Sequence, residues 1–336
     1  MIKNKVLIIG PAWVGDMVMA QSLFKLLRQR RSDLQIDVLA PAWSVALLAR
    51  MPEVTDALVM PLGHGRLDLP ERRRIGKALR DKQYAQAIVL PNSFKSALIP
   101  WWADIPVRTG WRGEMRYGVL NDMRRLDRKR YPLMIEQFMA LGLPVNEPMP
   151  VDYPLPELII SSTSREQALA RHALTTDHPI LAICPGAEFG PAKRWPEEYY
   201  AAVANEKRRA GWQVWIFGSA NDHAVAEKIM SLTEQGCINL AGKTQLEEAI
   251  DLLSLASAVV TNDSGLMHIA SALQKPLIAV YGPTSPAFTP PLNKQAKIVS
   301  LTLPCQPCFQ RICPLKHHHC MTELKPQKVI DAMVDF

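Results

Sequence analysis

Short aliphatic, β-branched runs recur along this chain, and stretches with helical spacing separate them. Residues 5–10 read as a buried strand, Pro11 to Gly15 as a loop, and Asp16 opens a helix to about Arg31. Ile36–Ala40 is the next strand and Ala42–Arg50 the next helix. Val54–Pro61, a helix near Glu71–Lys82 and the strand Ala87–Leu90 continue the alternation. Strands joined through helices pair in parallel, and a parallel sheet needs helices on both faces. Pro144, Pro148, Pro150, Pro154 and Pro156 then crowd a short stretch, a linker composition. Beyond it the pattern restarts: strand Ile180–Cys184, helix Pro196–Ala210, strand Val214–Phe217, helix Asp222–Leu232, helix Leu246–Leu255, and strands Ala258–Thr261 and Pro276–Tyr281. The prediction is an α/β chain of two doubly wound domains, residues 1–150 and 151–325. A terminal helix over 326–336 carries Val329, Ile330 and Met333 at helical spacing. Such sheets bind ligands outside the carboxyl ends of their strands, so the expected site is a cleft between the two domains.

The second domain contains Ala258-Val259-Val260-Thr261-Asn262-Asp263-Ser264-Gly265-Leu266-Met267-His268-Ile269-Ala270. A β-branched run ends in a tight polar turn, and a helix follows with Leu266, Ile269, Ala270 and Leu273 on one face. Unpaired N–H groups and the helix dipole make such a start favourable for an anion. His268 in the first turn can add a hydrogen bond to a phosphate oxygen. Asp263 suits a hydroxyl or a helix cap better than a phosphate. A capped helix with a buried histidine accounts for the same residues and stays open here.

At 336 residues the chain exceeds what one core usually organises. No run reaches the roughly 18–20 apolar residues of a membrane span, and the opening Val6–Ile9 is too short for a signal-peptide core, so a cytosolic protein is expected. The net charge of +7 is uneven: Arg66 to Arg130 holds 16 Lys/Arg against 7 Asp/Glu. That basic half could face nucleic acid, an anionic membrane or a phosphorylated substrate, with a solvated surface as the plain alternative, notably at Arg72-Arg73-Arg74. Signatures of nucleic-acid modules are missing.

Gly10-Pro11-Ala12-Trp13-Val14-Gly15-Asp16-Met17 has P-loop spacing up to its second glycine, but Asp16 and Met17 stand where Lys and Ser/Thr are required. A carboxylate there repels phosphate, which excludes that ATPase reading, and the absence of G-x-G-x-x-G weakens a dehydrogenase. An Asp at a helix N-terminus remains, stabilised as an anion by the dipole. It is either a cap or a general base aimed into the cleft. Pro185–Pro196 follows the first strand of the second domain, with glycines for close backbone approach and Lys193 and Arg194 to meet a diphosphate. Phe217-Gly218-Ser219-Ala220-Asn221-Asp222 leaves a neighbouring strand.

Together these segments resemble glycosyltransferase family 9, the lipopolysaccharide heptosyltransferases, over nearly the whole chain. Trp13–Met17, Leu90–Ser96, Arg108–Tyr117, Pro185–Pro196 and Asn262–His268 carry the likeness. The resemblance implies a GT-B fold of two Rossmann-like domains, the N-terminal one for acceptor and the C-terminal one for nucleotide-sugar. It implies an inverting transfer of L-glycero-D-manno-heptose from ADP-heptose to the first heptose of the core. Asp16 becomes the catalytic base, and Lys193, Asp222, Asp263, Ser264, Gly265 and His268 the donor contacts. The acceptor is a lipid-anchored anionic saccharide, lipid A–Kdo–heptose, and Lys95, Arg108, Arg112 and Arg116 lie in the basic half to meet it. The expected location is the cytoplasmic face of the inner membrane, peripherally bound. The family's terminal helix crosses back to the first domain, and 326–336 is expected to do so. No cofactor and no catalytic metal is expected, since no Asp-x-Asp ends a strand, and no nucleic acid is expected as partner. A sibling enzyme with another core acceptor, and a non-catalytic sugar-nucleotide or nucleic-acid binding module, are the alternatives.

Four of the six cysteines fall within 16 residues, as Cys305-x2-Cys308-x4-Cys313-x6-Cys320 beside His317, His318 and His319. A reducing compartment disfavours disulfides. A structural zinc and four reduced thiols are both open readings, the spacing fitting standard zinc patterns only loosely.

Overall fold

A computed structural model describes residues 4–63, 65–234 and 236–336. The chain divides into two compact units, one ending at Pro156 and the other beginning at Glu157. In the first, strands β1 (Lys5–Ile9), β2 (Gln35–Pro41), β3 (Asp56–Met60), β4 (Gln86–Val89), β5 (Val107–Trp111) and β6 (Asp122–Arg124) form one sheet. All pairings are parallel and the order is β3-β2-β1-β4-β5-β6. Helices α1 (Val14–Arg30), α2 (Val45–Leu48), α3 (Leu69–Ala78) and α4 (Phe94–Trp102) lie in the crossovers, and α5 (Met134–Ala140) follows the last strand and packs on α1.

The second unit opens with helix α6 (Ser162–Arg171). Its sheet comprises β7 (Ile180–Cys184), β8 (Gln213–Ile216), β9 (Cys237–Asn239), β10 (Ala258–Asn262), β11 (Leu277–Tyr281) and β12 (Ala296–Ser300), again parallel, in the order β12-β11-β10-β7-β8-β9. Helices α7 (Glu197–Arg209), α8 (His223–Leu232), α9 (Leu246–Leu253), α10 (Gly265–Ala272), α11 (His319–Thr322) and α12 (Pro326–Ala332) complete it. Counted from its own first strand, each sheet has the same strand order. The chain reverses direction across the sheet between β1 and β4 in one and between β7 and β10 in the other, which is where doubly wound sheets open a ligand crevice.

Burial explains which strands the sequence announces. β7, β10 and β11 are buried at every residue; β7 and β11 read as unbroken apolar runs, and β10 is apolar up to Thr261 and Asn262. The strands missed by periodicity are β5, β6, β9 and β12. β6 and β9 have three residues each, and β12 is an edge strand with Lys297 in it. Helix α1 starts at Val14, with Trp13 at its N-cap, so Asp16 lies inside the first turn instead of opening it. Gly76 sets the contact of α3 with α4, for a Cβ there would meet Trp102 Cβ at 2.6 Å and the Ile99 carbonyl at 2.8 Å. The apolar side of α12 belongs to the second unit: Val329 and Met333 are buried in its core with Tyr200, Val203 and Leu324.

Candidate functional site

The loops that leave β7 and β10 meet at the second unit's switch point, and Asn262 joins them. It ends β10 fully buried; its amide donates to the Pro185 carbonyl at 2.7 Å. Its Oδ1 accepts from the Trp195 N–H at 3.3 Å and the Tyr200 hydroxyl at 2.7 Å. One side chain therefore fixes the start and end of the Pro185–Trp195 loop against β10. The sequence reading passed over Asn262 as a ligand or positioning residue, although a polar side chain ending an otherwise apolar buried strand was the available signal.

That loop carries Lys193 on a 3-10 turn, Pro191–Lys193. Lys193 Nζ lies 2.7 Å from Asp263 Oδ2 and 3.3 Å from the Asp263 carbonyl oxygen, and 4.9 Å over the Phe189 ring. Both partners are shielded, their side chains 13% and 6% exposed. Asp263 thus holds and aims the ammonium, a pairing over 70 residues that no local pattern announces. Asp222 belongs to the adjacent loop after β8. Its carboxylate accepts from the Ser219 N–H at 2.9 Å and hydroxyl at 2.8 Å, closing the turn that begins α8, and Arg194 stands 3.8 Å away. Gly186 makes room for it, since a Cβ there would fall 2.5 Å from Asp222 Oδ2.

Ser264 caps α10, its Oγ accepting from the Met267 N–H at 3.4 Å, and Gly265 is the first helical residue. His268 is buried one turn on. Burial pushes its pKa down to about 4; Asp263 pulls it up and Lys193 pushes it down, both more weakly. The imidazole is accordingly neutral at pH 7, able to donate or accept one hydrogen bond but bringing no charge. Lys193, Asp263, Ser264, Gly265 and His268 are thus gathered at one strand end, with Asp222 on the next loop.

In the first unit, Asp16 sits in the first turn of α1, directly after β1, and Lys95 in the first turn of α4, after β4. These are the two strands flanking that unit's switch point. The four basic residues expected to meet an anionic acceptor divide. Arg116 is fully buried and donates to the carbonyls of Pro91, at 2.7 Å, and Trp111, while burial pushes its pKa down to about 10. Arg108 donates to the carbonyls of Val119 at 2.6 Å and Ile105 at 2.5 Å. Both serve as loop struts, because a buried carbonyl left without a donor is costly. Arg112 is exposed and stands over the Tyr117 ring, and Lys95 is half-buried. Arg72 also departs from a solvated face: it is buried and donates to the carbonyls of Arg66, Leu67 and Lys95.

The six cysteines are free thiols. Cys305, Cys308, Cys313 and Cys320 line one cavity of about 20 Å³ together with Gln306, His317 and His318. Among the described residues, no three His, Cys, Asp or Glu side chains are already arranged to hold a metal ion. No helix of the described residues is long and apolar enough to cross a membrane.

The family model described as glycosyltransferase family 9 (heptosyltransferase) matches residues 72–319. Lipopolysaccharide heptosyltransferase 2 of Salmonella typhimurium is 48% identical to this chain, over 98% of this sequence and 97% of that one. Lipooligosaccharide heptosyltransferase 2 of Haemophilus ducreyi is 51% identical, over 88% of each. The solved structure of E. coli ADP-heptose LPS heptosyltransferase II superposes with a TM-score of 0.89 at 45% identity, across 98% of this chain and 97% of that one.

Proposed function

Because the chain belongs to glycosyltransferase family 9, with the GT-B fold, and is an enzyme that transfers heptose to the lipopolysaccharide inner core, we propose how its residues divide that work. The donor is ADP-heptose, the acceptor is the first heptose of lipid A–Kdo–heptose, and the transfer inverts the anomeric centre. The observation that carries this reading is the placement of the family's motifs at both switch points: Asp16 and Lys95 in one sheet, Lys193 and Ser264 to His268 in the other.

The second unit binds the donor. Lys193, aimed by Asp263, meets the diphosphate, and the start of α10 at Ser264 and Gly265 adds N–H groups and a favourable dipole. Neutral His268 offers a hydrogen bond, and Asp222 shapes the neighbouring loop. Charge neutralised in this way leaves the diphosphate with no need of a bridging magnesium or manganese ion, so adding or withholding either ion should leave ADP affinity intact. The first unit binds the acceptor, with Lys95 and exposed Arg112 meeting its anionic groups while Arg108 and Arg116 brace the loops. The basic excess between Arg66 and Arg130 favours a peripheral position at the cytoplasmic face of the inner membrane. Family membership does not favour a nucleic-acid module.

Asp16 takes the proton from the acceptor hydroxyl as that oxygen attacks the anomeric carbon and ADP leaves. General-base assistance contributes roughly 10²–10⁴-fold. Radiolabelled transfer from ADP-heptose to core carrying one heptose, against core carrying none, tests the acceptor; equal transfer to both would refute it. Asp16→Ala should lower kcat by about 10²-fold or more with ADP affinity unchanged. Near-normal turnover in that variant would remove Asp16 from the role.

A further inference from the structure

We propose that Cys305, Cys308, Cys313 and Cys320 form a tetrathiolate site for a thiophilic divalent cation, zinc in the first instance, which holds the cysteine loop against the turn that carries Lys193. The second half of this statement rests on the donor-binding reading; the first does not.

Four thiols from 16 residues line one cavity, and its volume suits a single atom-sized occupant. Soft thiolate donors in a set of four select zinc or iron over magnesium or calcium. The backbone is bent to bring the four cysteines together. Phe309, directly after the Cys305-x2-Cys308 pair, has φ 54°, and Lys316 and His318 between Cys313 and Cys320 have φ 60° and 56°. Left-handed residues with large side chains persist where the surroundings hold them, and this loop lacks the long helix or strand that would do so. Exposed Arg311 and Lys316 offset part of the negative charge that four thiolates leave around a divalent ion. Among the described residues no three His, Cys, Asp or Glu side chains are arranged to hold a metal ion, so ligation requires the four cysteine side chains to rotate toward the cavity they line.

The loop is fastened to the Lys193 turn from both sides. The Ala192 N–H donates to the Arg311 carbonyl at 3.1 Å, and His318 Nε2 lies 2.7 Å from the Ala192 carbonyl oxygen. Arg311 also covers the Phe189 ring at 5.4 Å. A cation that fixes residues 305–320 would therefore fix the turn beside Lys193.

Metal analysis of full-length protein, purified with thiols protected and zinc supplied, should find about one zinc per chain, as expected of a closed structural site. Cobalt in its place should give thiolate-to-cobalt charge-transfer bands and the intense visible bands of a tetrahedral site. Cys305→Ser/Cys308→Ser should lose both signals, and Cys237→Ser, a buried cysteine outside the loop, should keep them. Should the double variant fail to fold, stripping wild type with a chelator should expose the four thiols to a thiol reagent and weaken ADP binding by about tenfold. Zinc titration of the reduced, stripped chain without binding would overturn the site, as would a Cys305–Cys308 disulfide in place of metal. Zinc bound with ADP affinity unaffected by its removal would overturn the coupling. Lys193→Ala should keep zinc and lose ADP; unchanged ADP affinity there would sink the donor reading and leave the zinc site standing.

Discussion

The pair Lys193–Asp263 offers the most quantitative test of the second unit's switch point. Its charged atoms are 2.7 Å apart, with side chains 13% and 6% exposed. At an effective dielectric of about 20 their attraction is about 6 kcal/mol. Removing the two ions from water costs several kcal/mol each, so the intact pair contributes little net stability. Breaking it is another matter. Lys193→Met strands the Asp263 carboxylate in the interior and should cost about 3–5 kcal/mol. Asp263→Asn should cost about 1–3 kcal/mol, the range for a buried group losing its partner. The double variant should recover most of the loss and end within about 2 kcal/mol of wild type, giving a coupling of about 2 kcal/mol or more. Hydrogen exchange at the β7 and β10 amides measures this for the second unit by itself. His268 supplies an independent readout, because Asp263 raises its pKa and Lys193 lowers it against the larger effect of burial. The two single variants should move its NMR titration in opposite directions. Single costs that add to within about 0.5 kcal/mol, with an unmoved His268, would refute the reasoning.

His268 also predicts an acid-sensitive window. Above its ordinary value of 6.5 the imidazole is neutral folded and unfolded, so it adds no pH dependence. Between 6.5 and about 4 the unfolded chain takes up a proton that the folded chain refuses. Stability should fall by about 3 kcal/mol across that interval. Chemical denaturation of His268→Gln over the same range should show a flatter profile, and an unchanged slope would assign the acid loss elsewhere. The arginines separate by assay: Arg116→Met should cost about 3 kcal/mol through two orphaned carbonyls. Arg112→Ala should leave stability within about 0.5 kcal/mol of wild type and raise KM for the acceptor, and an unaltered KM would remove it from acceptor contact.

The alternation of both halves was plain in the sequence because parallel strands buried on both faces, such as Ile180–Cys184, read as continuous apolar runs. Cys237–Asn239 and Asp122–Arg124 were not, since three residues hold no period and edge positions tolerate polar side chains. Composition placed Arg108, Arg112 and Arg116 in one basic cluster, but charge alone does not say whether a guanidinium faces solvent or a neighbouring carbonyl. Asp263 and Lys193 were each recognised for the helix start and loop they occupy. Their pairing depends on β7 and β10 lying side by side, a fact of strand order that no local stretch contains.

That strand order has a consequence for biosynthesis. The first sheet draws on no residue beyond Arg124 and its last packing helix ends at Ala140, so every partner it needs leaves the ribosome before the second sheet's first strand is made. At about 5–20 residues per second, translating the second unit takes on the order of 10–40 s. Domains of this size commonly fold within seconds. The nascent chain can therefore bury β1 to β6 before Val259, Val260 or Ile278 exists to compete for them. Synonymous codons that slow translation just after residue 156 should have little effect on soluble yield, whereas a circular permutation that brings Glu157 to the front reverses which half leaves the ribosome first.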